Sequence, residues 1–336
     1  MILIIKKIIS YPLEFLFFFY ELFFFKIRKK NSSGSYSYML RFFYFTGGLS
    51  NDVINFFVSK KPKNTFFSEG LLSKYKNNSI KSYQEKLEKN GYVVFENILN
   101  DIDINNFISE LKKKEGFYLS DNKGLSIKQK LDFNDPKAVM FYYSSQDIID
   151  TDSFHKILFD PSLIKFSQDY LKSYPVIDNI SAWWSFPAAT PEKNAAQWWH
   201  FDLERPKWLK FFFFLTDCTI ETGAHCFIKG SQKNNGVKWS LRKKGYTRLS
   251  DQEIEKNYKK DQIISVTAKR GSLLVEDTRG LHKGLNLTRD HRLLIQVQYA
   301  SSTFGAKVEK FKLPKIRNNN FLDLKNKFNY TYSLFK

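Results

Sequence analysis

The chain has 336 residues, 43% of them hydrophobic, which suits one large domain with a substantial core and short appendages. A formal net charge of +19 raises nucleic acid or an anionic membrane as a partner, but the basic runs Lys112-Lys113-Lys114 and Arg242-Lys243-Lys244 are scattered, and no RNA-recognition or zinc-finger spacing accompanies them. Two cysteines, Cys218 and Cys226, are too few for a disulfide framework and poorly spaced for zinc, so buried thiols in a reducing cytoplasm are expected.

In chain order, the first feature is an apolar stretch from Ile8 to Phe25, interrupted by Ser10, Pro12, Glu14 and Glu21. Lys6 and Lys7 precede it, and Lys26, Arg28, Lys29 and Lys30 follow. Two carboxylates argue against a membrane span, and no small-residue cleavage site follows the apolar run. Lys7, Glu14, Glu21 and Arg28 recur at heptad spacing, near one stripe of a helix. Residues 1–30 are therefore expected to form an apolar helix, with Pro12 favouring a kink. Two placements lead, peripheral contact with a membrane interface or docking against the protein's own body, with a membrane span as the third alternative. Residues 31–80 divide into a short Ser-, Asn- and Gly-rich linker from Asn31 to Tyr38 and an unassigned region over 39–80, where aromatic clusters alternate with Lys/Asn stretches.

Regular signals begin near residue 81. Ser82 with Glu85 suggests a capping box for a helix ending at Asn90, with Gly91 as its stop. A strand over Tyr92–Phe95 and a helix over Ile104–Lys114 follow. Asp160-Pro161 opens another helix, which runs to about Ser173. Strands are then predicted over 177–186, 197–202, 209–215, 224–228, 263–266, 271–275 and 292–299. Helices first and many short strands afterwards predict a mainly β domain over residues 81–305, an antiparallel sandwich or jelly roll with flanking helices. Residues 306–336 form a basic C-terminal extension.

Chemistry concentrates in few residues. His200 and Asp202 lie in Trp198-Trp199-His200-Phe201-Asp202, where strand alternation puts both on one face and Trp199 and Phe201 on the other. His282 closes the turn Asp277-Thr278-Arg279-Gly280-Leu281-His282. Two imidazoles and one carboxylate on one face of an iron leave the opposite positions open. Arg292 starts the strand that follows and shares a face with Leu294, Gln296 and Gln298. Its guanidinium suits a two-pronged grip on a carboxylate.

The chain resembles the phytanoyl-CoA dioxygenase family of double-stranded β-helix (jelly-roll, cupin-like) oxygenases over roughly residues 80–300. The resemblance rests on Gly91-Tyr92-Val93-Val94-Phe95, Asp160-Pro161, His200-Phe201-Asp202, Leu215-Thr216-Asp217 and Glu221-Thr222-Gly223 leading to Gly230-Ser231. The segment from Asp277 to His282 and Arg292 complete it. It implies an Fe(II)- and 2-oxoglutarate-dependent dioxygenase, with His200, Asp202 and His282 as iron ligands and Arg292 as the anchor of the 2-oxoglutarate C5 carboxylate. The reaction implied is hydroxylation of a small-molecule, lipid or glycoconjugate substrate, coupled to decarboxylation of 2-oxoglutarate to succinate. Asp202 favours hydroxylation, since related halogenases lack that carboxylate. Two departures stand out. Lys229-Gly230-Ser231-Gln232 replaces a Pro-Gly-Ser-His turn, and Lys283-Gly284-Leu285-Asn286 replaces a Gly-Ser-Gly-x-Asn-like loop that supplies a small hydroxyl.

Other candidates are weaker. His225, in a strand, reads as a satisfied structural histidine with an inward-facing substrate contact as the alternative; His291 reads as surface, and His155 has no evident partner. Glu276 and Asp277 are candidates to orient the second nitrogen of His282 or to cap its turn. Gln197 is a candidate cosubstrate or substrate contact, and Trp183, Trp184, Trp198 and Trp199 are core or pocket residues. A nucleic-acid demethylase of the same fold and a non-catalytic jelly-roll module at a membrane remain as alternatives, although nucleic acid is not the expected partner.

Overall fold

The computed structural model describes residues 16–62, 69–120, 124–125 and 127–336. Eleven strands appear among these: β1 (Tyr92–Phe95), β2 (Phe117–Ser120), β3 (Gly124–Leu125), β4 (Met140–Tyr143), β5 (Val176–Ser185), β6 (Trp208–Phe214), β7 (His225–Ile228), β8 (Ile263–Val266), β9 (Leu273–Glu276), β10 (His282–Gly284) and β11 (Arg292–Ala300). Eight form one sheet in the order β1-β9-β6-β11-β5-β4-β2-β3, and three form a second in the order β10-β7-β8. Every strand pair is antiparallel. This is the jelly roll expected of a double-stranded β-helix, with helices over one face of the larger sheet.

Strand alternation decides which residues reach the site. Along β6, Leu209, Phe211 and Phe213 join the main core with the helices, while Lys210 and Phe212 line a cavity on the opposite face. Along β11, Leu293, Ile295, Val297 and Tyr299 enter the same core, and Arg292, Leu294 and Gln296 turn to the cavity. β5 repeats the pattern, with Ile180, Ala182 and Trp184 in the core and Asn179, Ser181 and Trp183 towards the cavity. β6 therefore reads as a nearly continuous apolar run, whereas β5 and β11 carry polar residues where they face the cavity.

The helices begin and end for local reasons. The helix Pro161–Leu171 is capped by Asp160, whose side chain accepts from the Leu163 N–H at 2.8 Å. The helix Asp101–Lys112 is capped by Asn100, starting three residues before the predicted Ile104. The helix Asn77–Asn90 starts well before Ser82, so the expected capping box is not formed: Ser82 lies on the exposed face of the helix interior, while Ile80 and Tyr83 pack partly against the core and carry the helix upstream. Gly91 does end it, at φ +92° with its N–H on Leu87 O. A Cβ at Gly91 would stand 2.6 Å from the Phe227 ring. Gly91→Ala is therefore expected to cost about 1–3 kcal/mol, from backbone strain and displacement of that ring, read as a lower urea midpoint with an unchanged slope.

The linker expected over Asn31–Tyr38 and the described part of the unassigned region are largely helical. Helices span Ser35–Thr46 and Leu49–Val58, and Met39, Ile54 and Val58 pack with Phe18, Leu22 and Phe25 of a helix over residues 16–28. The polar residues that suggested a linker satisfy buried groups instead. Ser32 and Ser35 donate to the Glu21 carboxylate, and the Asn31 side chain bonds Thr303 O and the Gly305 N–H. Glu21 thus faces the body; Lys7, Pro12 and Glu14 lie outside the described residues. The C-terminal extension also returns to the main core, where Tyr332, Leu334 and Phe335 are buried and the Tyr332 hydroxyl donates to Leu158 O.

Candidate active site

His200 and Asp202 sit on a segment that is less regular than the strand predicted over 197–202. Two isolated bridges hold it, Trp199 to Leu249 and His200 to His282, and the Asp202 N–H donates to Thr278 O at 2.8 Å. The expected alternation holds: Trp199 and Phe201 are buried in a second core with Phe43, Leu249 and Leu281. His200 and His282 exchange both backbone hydrogen bonds, at 3.0 and 2.8 Å, so the two imidazoles come from directly opposed residues.

One ligand atom from each of His200, Asp202 and His282 lies within 4.8 Å of the others, and all three side chains are buried. Each imidazole is held by its own backbone two residues back. Nδ1 of His200 lies 2.9 Å from Trp198 O, and Nδ1 of His282 lies 2.9 Å from Gly280 O. With Nδ1 protonated, each Nε2 can ligate a metal, and each lies near the Asp202 carboxylate, 3.9 Å away for His200 and 3.4 Å for His282. The carbonyl of Gly280 thus does the orienting expected of Glu276 or Asp277. Asp277 binds Arg279 and the Tyr170 hydroxyl, while Glu276 Oε2 lies 2.7 Å from His225 Nε2.

The electrostatics keep His200 and Asp202 in ligand form and favour a proton on His282, which an entering metal would displace. Burial pushes His200 well below the usual imidazole range, helped by the neighbouring His282, so it is neutral. Burial works to raise the Asp202 carboxyl, but Lys210 and the two histidines outweigh it and hold Asp202 well below the carboxylate range. Burial opposes the charge on His282 too; Asp202 prevails and raises it. Lys210 Nζ donates to Asp202 Oδ2 at 2.6 Å, and its pKa is raised despite burial, by Asp202 and Glu204.

The cavity that these residues line measures about 260 Å³, and Arg292 shares it. Arg292 is buried, its Nε has no hydrogen-bond partner, and among the described residues no carboxylate pairs with it. Its polar contacts are the Ser185 hydroxyl, 3.5 Å from Nη2, and the Cys218 thiol. Gly223, at φ +87°, makes room: a Cβ there would lie 2.9 Å from Arg292 Nη1. A buried guanidinium with an unanswered donor suits an incoming carboxylate, and the triad suits a divalent metal of intermediate softness such as iron.

Residues 87–293, more than half of the chain, match the family model described as phytanoyl-CoA dioxygenase (PhyH). The chain belongs to the phytanoyl-CoA dioxygenase family. It is a 2-oxoglutarate-dependent non-haem iron dioxygenase, with Fe(II) as cofactor and 2-oxoglutarate as cosubstrate. Among solved structures it is similar to HygX from Streptomyces hygroscopicus, bound to nickel and 2-oxoglutarate, at 14% identity over 72% of this chain and 93% of that one, TM-score 0.49. It is also similar to the non-haem α-ketoglutarate-dependent carbocyclase SnoK from nogalamycin biosynthesis, at 14% identity over 72% and 90%, TM-score 0.48. No curated protein matches the chain.

Within this phytanoyl-CoA dioxygenase family member the remaining candidates resolve as follows. His225 lines the cavity, stacked on His282 at 5.7 Å and near Phe212 at 5.3 Å, so it faces inward while contacting Glu276. His155 is structural, bonded to Ile149 O, and His291 is exposed against Phe133 and Trp184. Gln197 lines the cavity with its Oε1 accepting from the Glu192 N–H. Of the tryptophans only Trp183 reaches the cavity; Trp184 and Trp199 are core and Trp198 is partly covered by Lys193. Both cysteines are free buried thiols. The altered Lys229–Gln232 turn still serves its neighbour, because the Ser231 hydroxyl accepts from the Leu281 N–H, one residue before His282. Lys210, Tyr142, Asn179 and Ser181 are cavity residues that the sequence reading passed over. Lys210 had a signal, as the lone charge inside the apolar run from Trp208 to Phe214.

Proposed function

We propose that His200, Asp202 and His282 hold the iron, that Arg292 anchors the far carboxylate of 2-oxoglutarate, and that the substrate is a small molecule or a lipid-linked group hydroxylated in the same cavity. The observation that carries this reading is the unanswered Arg292 guanidinium lining one cavity with the three converging ligands. Bound together, Fe(II) and 2-oxoglutarate supply the oxidation: dioxygen is consumed, the keto acid is decarboxylated to succinate, and one oxygen atom goes to a substrate C–H bond.

The protein's own part is placement and exclusion of water. The two histidines are fixed by backbone carbonyls and the carboxylate by Lys210, so little reorganisation accompanies metal entry. Arg292 selects a diacid, since a monocarboxylic keto acid leaves the guanidinium unpaired. Phe212, Leu294 and Trp183 provide apolar wall, and the amide and hydroxyl of Asn179 and Ser181 provide the polar contacts that orient a substrate. A cavity of about 260 Å³ matches one keto acid with part of a small molecule, which is consistent with a substrate that enters only by its reacting end.

A screen of candidate small molecules by stimulated succinate release tests this reading. Stimulation in the wild type, absent in Asp202→Ala, is expected; turnover that persists in that variant would remove the triad from the reaction.

A further inference from the structure

Two of the N-terminal helices are apolar on two faces. The helix over residues 16–28 buries Phe18, Leu22 and Phe25, but on the opposite face Leu16, Tyr20, Phe23 and Ile27 stand 57–66% exposed. Their spacing of three and four makes one continuous stripe. The helix Leu49–Val58 buries Ile54 and Val58 with Ser50 and Asn51 and exposes Leu49, Val53, Phe56 and Phe57. Each helix therefore packs one apolar face on the body and presents a second apolar face outwards, which is arranged for an apolar neighbour.

The two helices meet at a cavity of about 660 Å³, where Phe25 and Phe57 lie with Lys26, Lys29 and Lys60. Arg28, Lys30 and Lys61 are exposed beside these residues in sequence. Among the described residues, none of the six cations is paired with a carboxylate. The apolar stripes therefore adjoin unneutralised positive charge. No helix among the described residues is long and apolar enough to cross a membrane.

We propose that this face is a docking surface for an anionic phospholipid bilayer, with the exposed aromatics entering the headgroup–acyl boundary and the lysines meeting lipid phosphates. Charge complementarity selects this occupant. A second copy of the chain would bring the same six cations against themselves, whereas an anionic membrane answers both the apolar stripe and its basic border. The surface is formed by residues 16–28 and 49–58 together, rather than by the N-terminal apolar stretch alone. It places the oxygenase beside lipid, where a membrane-borne substrate would be met.

Co-sedimentation of the full-length protein with vesicles of phosphatidylcholine, with and without phosphatidylglycerol, tests the proposal. Binding is expected only with the anionic lipid, and raising salt from about 0.1 M to about 0.5 M should release most of it. A variant carrying Phe23→Ser, Ile27→Ser and Phe56→Ser, and another carrying Lys26→Glu, Lys29→Glu and Lys60→Glu, should each lose about tenfold or more in partitioning. Both should keep 2-oxoglutarate binding, which certifies their fold. Binding to neither vesicle, equal binding to both, or binding that survives both variants would overturn the proposal. A lipid-free dimer that the apolar variant dissociates would assign the face to self-association and overturn it equally. The lipid and salt comparisons on the wild type keep the test decisive if a variant misfolds.

Discussion

Asp202→Ala is expected to lower iron affinity by more than about 100-fold and to abolish turnover, since removing even an outer partner of a ligand commonly costs 10–100-fold. The reason is twofold. The substitution deletes the one anionic member of the proposed ligand set, and it leaves Lys210, now 2.6 Å from Asp202 Oδ2, as an uncompensated cation beside two imidazoles. Breaking a buried pair from one side costs about 3–5 kcal/mol, so the metal-free variant should also unfold at lower urea. The two consequences separate in Asp202→Ala with Lys210→Met: stability should recover and metal binding should not. Isothermal titration with Fe(II) under exclusion of oxygen reads the first quantity and urea denaturation the second. Recovery of metal binding in the double variant would mean that Asp202 acts only as a counter-charge to Lys210.

Arg292→Met should raise the 2-oxoglutarate Kd by roughly 30- to several thousand-fold, the equivalent of about 2–5 kcal/mol for losing one partner of a buried charge pair. Metal affinity should stay near that of the wild type. Arg292→Lys keeps the charge but loses the planar fork and should fall between the two. Gly223→Ala offers an independent approach to the same group, because its added Cβ would stand 2.9 Å from Arg292 Nη1. It should weaken 2-oxoglutarate binding without altering any charge. A Kd unchanged in Arg292→Met would place the anchor elsewhere in the cavity.

Much of this site was legible in the sequence because its residues follow strand geometry. Alternation put His200 and Asp202 on one face and Arg292 with Leu294 and Gln296 on another, and the structure shows the same sides. The partner that holds each imidazole was not legible, since both are backbone carbonyls, at Trp198 and Gly280, which any residue supplies. Asp277 looked suitable for His282 by proximity in sequence, but Arg279 and Tyr170 occupy it. His225 was readable only as a strand residue. Its contact with Glu276 joins the two sheets and depends on their packing.

The least legible region was the stretch from 31 to 80. Its helices expose aromatics while burying Ser35, Ser50 and Asn51 beside Met39, Phe43, Ile54 and Val58, so no single apolar stripe marks them in the sequence. Composition suggested a linker where Ser32, Ser35 and Asn31 in fact satisfy Glu21, Thr303 and Gly305. Where a local pattern contradicts the expected burial, tertiary contacts have decided the structure, and here the contradiction coincides with the surface assigned to lipid.

The most direct test of the central claim is a calorimetric titration of 2-oxoglutarate into metal-free and Fe(II)-loaded protein without oxygen. One equivalent should bind tightly with iron present and only weakly in its absence, and the metal should fail to load in His200→Ala with Asp202→Ala. Equal 2-oxoglutarate affinity with and without iron, or iron binding that survives the paired substitution, would contradict the assignment of His200, Asp202, His282 and Arg292 to one iron and 2-oxoglutarate site.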